Sequence, residues 1–136
     1  MLFPSRNLRY LAGYSEDPGE RHFLLFVPAA GDPVFLVPAL SGEQVREASW
    51  VGDVRTWSDA EDPVPTIAEI AAELDLATGH LLVDDTMWAL FTQDLRTALP
   101  DATFGLASEV VGELRVRKDD AELDAMRRAG AVADET

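Results

Sequence analysis

Cysteine is absent from the chain, and lysine occurs once, at Lys118. The first absence excludes a disulfide scaffold, a thiol nucleophile and every cysteine-bearing zinc site. The second leaves one lysine and ten arginines against 25 acids, for a formal charge of −14. A surface this acidic repels phosphate backbones, so no nucleic acid is expected as a partner. The acids are spread along the chain and do not form an acidic interaction tail. Scarce lysine with abundant Asp and Glu resembles proteins of a salt-adapted, halophilic cytoplasm, where a Debye length of about 3 Å in molar salt screens self-repulsion. No apolar run approaches the ~20 residues of a membrane span. The Met1-Leu2-Phe3-Pro4-Ser5 start lacks the basic and apolar regions of a signal peptide. The expectation is a soluble cytoplasmic protein with no membrane partner. Nine Gly and eight Pro exclude collagen-like and low-complexity classes, and 47% hydrophobic residues argue against disorder. A chain of 136 residues is then one compact domain.

The pattern alternates strands and helices. Asn7 to Leu11 reads as a helical turn stopped by Gly13. Ser15 to Glu20, with Pro18-Gly19, reads as a loop. His22 to Val27 and Val34 to Val37 are nearly continuous apolar runs joined by a turn containing Gly31, which predicts a β-hairpin. Ser41 with Gln44 predicts a capping box opening a helix. Val51 to Trp57 is a weaker strand, and Asp59 to Pro65 a loop. Thr66 with Glu69 forms a second box, before a helix whose Ile67, Ile70, Ala71 and Leu74 share a face and which Gly79 stops. Leu81 to Val83 is a strand. Asp85 or Thr86 caps a helix carrying Trp88, Phe91, Leu95 and Leu99, ended by Pro100. Thr103 to Leu106 is another strand. Asp119, with Glu122 three residues on, opens a last helix with a thin stripe of Leu123, Met126, Gly130 and Ala133. Nothing closes that helix before Thr136, so it is expected to lead into something else.

No complete catalytic set is visible. Gly-x-Gly-x-x-Gly, a Walker loop and Gly-x-Ser-x-Gly are all missing. His22 and His80 are the only histidines, neither in a metal-ligand spacing, so no metal site is expected in this chain. His22 reads as a structural residue at a strand edge or a ligand contact, and His80 as a solvated turn residue. Asp84-Asp85, at the end of a strand, is placed to bind a hard cation or act as acid and base; the commoner reading is a strand end followed by a helix cap. Of the aromatic group Tyr10, Tyr14, Phe23 and Phe26, most rings are expected in the core.

Two stretches carry a resemblance. Asn7-Leu8-Arg9-Tyr10-Leu11-Ala12-Gly13-Tyr14 resembles the Asn-x-x-Tyr-Leu-(Thr/Ser)-Gly-(Phe/Tyr) signature of the creatinase/prolidase N-terminal domain. Val111-Gly112-Glu113-Leu114-Arg115-Val116-Arg117-Lys118-Asp119-Asp120-Ala121-Glu122-Leu123 is similar to the junction that leads, in that family, into the pita-bread metallopeptidase domain, and Met126-Arg127-Arg128-Ala129 continues it. The resemblance implies an α/β fold with a mixed sheet flanked by helices, ribonuclease H-like, here lacking the family's first helix and strand, with Met1-Leu2-Phe3 as remnant of the strand. It divides the chain into residues 1–117, the domain, and 118–136, the start of a linker helix.

It also implies a parent Xaa-Pro dipeptidase or aminopeptidase, a homodimer acting on peptides. Two divalent ions (manganese, cobalt or zinc) would sit in a catalytic domain beyond this chain. No catalytic or metal residue is carried over. The loop after the first motif is the expected part of the substrate entrance, with Tyr14, Arg21 and His22 as its candidates. Arg21 matches a carboxylate with its planar fork. The alternative is a free-standing acidic binding domain without peptidase activity.

Overall fold

The structure is a computed structural model describing residues 1–17 and 19–134. Pro18 of the expected Pro18-Gly19 loop and the helix end at Thr136 lie outside the described residues. The elements run α1 (Arg6–Ala12), β1 (Leu24–Phe26), β2 (Val34–Pro38), α2 (Gly42–Ala48), β3 (Asp53–Trp57), α3 (Pro63–Glu73), β4 (His80–Val83), α4 (Ala89–Ala98), β5 (Thr103–Leu106), α5 (Val111–Val116) and α6 (Asp120–Asp134).

As the apolar runs predict, β1 and β2 pair antiparallel, Leu25 opposite Phe35. β3 then pairs parallel with β2, and β5 parallel with β4. The first residues join the two sheets. Leu2 exchanges both backbone hydrogen bonds with Leu25 at 2.9 Å. On its other side the Met1 α-amino group donates to Leu82 O at 2.6 Å, and Asp84 N donates to Met1 O at 3.1 Å. That pattern is parallel pairing. Met1-Leu2 thus occupies the place between β1 and β4, and every strand but β1 runs the same way.

Both faces of this sheet are covered, which is why its central strands read as unbroken apolar runs. Leu24, Phe26, Val34, Leu36 and Met1 face α3 and α4, meeting Ile67, Ile70, Leu95 and Leu99. The alternate residues Leu2, Leu25, Phe35 and Val37 face α1, α2 and α5, meeting Leu8, Ala12, Val45 and Val111. Each fully buried Leu or Phe contributes about 1.5–3 kcal/mol by leaving water.

Several helix ends differ from expectation. Ser41 makes no capping bond; its hydroxyl donates instead to Glu16 at 3.3 Å. α3 begins at Pro63, not Thr66, because Asp62 caps it through Val64 N and prolines are tolerated in a first turn. It ends before Gly79, and Asp75 takes the left-handed turn with φ 58°. Neither Asp85 nor Thr86 caps α4; its cap position is Trp88, without a side-chain bond. His80 lies in β4, where its Nδ1 is 2.9 Å from Thr103 Oγ1. At α6 the predicted box forms: Glu122 N donates to Asp119, and Asp119 N to Glu122.

Candidate functional site

With the strands arranged this way, the carboxyl ends of the Met1-Leu2 segment, β2, β3 and β4 open on one edge of the sheet. The amino end of antiparallel β1 opens there too, bringing the loop from Tyr14 to His22 to that edge. In open α/β sheets this is the edge that receives ligands. A shallow cleft of about 140 Å³ lies there, lined by Pro4, Glu16, Arg21, Phe23, Pro38 and Ser41 among others.

The three sequence candidates take different positions around it. Tyr14 is half-buried, its ring stacked on Phe23 at 6.2 Å and its hydroxyl donating to Glu16 at 3.1 Å. Burial, then the Glu16 charge, pushes its phenol above the ordinary range. Arg21 is exposed and donates twice to Asp59, from Nε and Nη2, both at 2.7 Å. Those bonds hold the Asp59 carboxyl below its usual value. His22 is 8% exposed. Its Nε2 lies 2.9 Å from Asp94 Oδ2 on α4, and its ring meets Phe91 and Trp57 edge-on at 4.8 and 6.1 Å. Its carbonyl accepts from Trp57 Nε1 at 2.8 Å. The structure therefore places Arg21 on the cleft, joins Tyr14 to it through Glu16, and buries His22 against Phe91 and Trp57.

Asp84 and Asp85 diverge. Asp84 is 2% exposed and accepts from Ser5 Oγ, Asn7 Nδ2 and both the N–H and hydroxyl of Thr86, at 2.5–3.3 Å. Four donors fill its lone-pair sites. Asp85 is exposed and accepts from Ser108 N at 2.9 Å. Neither orientation leaves a shared pair for a cation or for acid–base work. Among the described residues no group of three or more His, Asp or Glu side chains can hold a metal ion.

A connection that one-dimensional spacing did not reveal runs through Asn7. Its Nδ2 donates to Asp84 at 3.3 Å, and its Oδ1 accepts from Arg115 Nη1 at 2.8 Å. An amide alone among short side chains offers a donor and an acceptor side by side. The two stretches that carried the resemblance, 108 positions apart, meet at this bond.

Residues 1–117 match the model of the creatinase/prolidase N-terminal domain. The chain belongs to that family. Among its relatives is an Xaa-Pro dipeptidase of Lactobacillus helveticus, 36% identical over 130 residues, covering 93% of this chain and 35% of that one. A solved dipeptidase of Pyrococcus horikoshii superposes with a TM-score of 0.90 at 35% identity, over 98% of this chain and 36% of that one. A prolidase of Thermococcus sibiricus gives 0.89 at 30% identity, with the same coverages. The chain thus spans about a third of the length of these relatives. As a creatinase/prolidase N-terminal domain it has the expected α/β architecture.

Proposed function

We propose that this domain is the non-catalytic N-terminal part of a cytoplasmic, metal-dependent Xaa-Pro dipeptidase or aminopeptidase, and that it contributes dimer contacts and the wall of the substrate entrance. The observation that carries the reading is the fit to dipeptidase chains about three times as long, over nearly all of this chain. Residues 1–117 form the domain, and the helix beginning near Lys118 is the linker into the remaining two thirds.

The donor set here does not fit a two-metal centre: His22 is taken up by Asp94, His80 by Thr103, and Asp84 by four donors. The ions therefore belong to the remainder of the parent, and no catalytic step is derived for this chain. Its own part is positional. Arg21 sits exposed at the carboxyl edge, held by an equally exposed Asp59 that a substrate carboxylate can replace. Tyr14 donates its hydroxyl to Glu16, which lines the same cleft as Arg21, and His22 holds the base of the loop between Trp57 and Phe91.

The test is kcat/KM for Xaa-Pro dipeptides in the full-length parent. Arg21→Ala is expected to lower it roughly tenfold, mainly through KM, as one charge-assisted bond is lost. His22→Ala is expected to lower it less. Unchanged kcat/KM in both variants would reduce the loop to a connection.

A further inference from the structure

Arg21 reaches the cleft from a short polar loop, and a loop presents a side chain in one direction only where a rigid scaffold grips it. Residues 21–22 are gripped at the end of β3. Arg21 donates to Asp59, and the His22 carbonyl accepts from Trp57 Nε1 at 2.8 Å. Both contacts lie on one segment, residues 57–59, which leaves the loop free to swing about it. The third contact comes from a different element: His22 Nε2 lies 2.9 Å from Asp94 Oδ2 on α4.

Asp94 stands one turn from Phe91, so the two side chains share the part of α4 that meets the His22 ring. Phe91 is buried, and Asp94 keeps 30% of its side chain exposed against 11% for His22. An acid beside the apolar stripe of a helix is ordinarily solvated. Here, among the described residues, the carboxylate has no hydrogen-bond or ion-pair partner but His22. A carboxylate only accepts, so Nε2 carries the proton and donates to it. Without that acceptor a buried N–H is left unpaired, and the ring gains by turning out of its seat against Phe91 and Trp57. The ring belongs to the residue next to Arg21, so its seat sets the direction in which Arg21 leaves the loop.

We propose that Asp94 is a positioning residue of the substrate entrance: acting through His22, it holds Arg21 at the cleft. The proposal rests on the reading of Arg21 as a carboxylate contact. It gives a role to an acid that neither lines the cleft nor bonds to Arg21.

The seat of the loop is read in the chain itself from solvent exchange of the Trp57 Nε1 proton, which donates to His22 O. Asp94→Ala is expected to speed this exchange roughly tenfold while the backbone amides shared by β2 and β3 keep their rates. Asp94→Asn, which keeps an acceptor for Nε2–H, should restore most of the protection. Arg96→Ala is the control on the same helix, since that guanidinium lies over Phe104, and should leave the exchange unchanged. In the full-length parent, Asp94→Ala should raise KM for Xaa-Pro dipeptides about threefold with kcat unchanged, and should add nothing in a His22→Ala background. Unchanged Trp57 exchange in Asp94→Ala would overturn the proposal. So would equal acceleration of Trp57 and the β2–β3 amides, which makes Asp94 a general stability residue, and so would additive effects of Asp94→Ala and His22→Ala on KM. If Arg21→Ala leaves KM unchanged, the carboxylate reading of Arg21 falls, and the Trp57 exchange alone then supports or overturns the seating of the loop by Asp94.

Discussion

Replacing Asp84 by Ala tests the account of how the two ends of the domain are held. The carboxylate is the common acceptor for Ser5, Asn7 and Thr86, and Asn7 passes the contact on to Arg115. Removal leaves these donors unequal. Thr86 is exposed and finds water, so its two bonds cost little. Ser5 and Asn7 are only half-exposed, and each loses a bond to a charged acceptor, about 1.5–3 kcal/mol apiece. The expected loss is about 3–5 kcal/mol, the range for breaking one side of a buried charged arrangement. Against a typical domain stability of about 5–15 kcal/mol this is a large fraction. Asp85→Ala is the control: its one acceptor contact is exposed, and the cost should stay under about 1 kcal/mol. Urea unfolding followed by fluorescence of the buried Trp57 gives both numbers. If the two substitutions cost the same, Asp84 is an ordinary strand-end residue and the reasoning fails.

Burial lowers the Met1 ammonium from 8.0 to about 6, with the Asp84 charge opposing the shift. Between those values the unfolded chain binds more protons, so stability rises as pH goes from about 6 to about 8, by about 2–3 kcal/mol, and the penalty is complete below about 6. Urea midpoints across that range should show the rise, and acetylating Met1 should flatten it; an unchanged slope after acetylation refutes the assignment. The purified chain is expected to show no turnover of an Xaa-Pro dipeptide with added manganese, cobalt or zinc. Metal-dependent activity that survives repurification would contradict this.

The parts of the fold carried by continuous apolar runs were legible in the sequence. His22 to Val27 and Val34 to Val37 announced the hairpin, because strands buried on both faces need no polar alternation. Helix ends were not. Thr66-x-x-Glu69 has the letters of a capping box, but Asp62 and two prolines in the first turn start α3 earlier. The role of Asn7 was hidden because its partners lie 77 and 108 positions away. Equally hidden was the pairing of His22 with Asp94, a contact across 72 positions. Local pattern reports burial well; it does not report which distant side chain completes a hydrogen bond.

The position of Met1-Leu2 between β1 and β4 has a consequence for synthesis. Residues 1–2 fill the middle of the sheet, and Met1 waits for a partner 81 positions later. Until residues 80–84 emerge, one side of that segment is an unpaired strand edge, open to pairing with another nascent chain. The β1–β3 half can assemble early, but the sheet is sealed only when Met1-Leu2 meets β4.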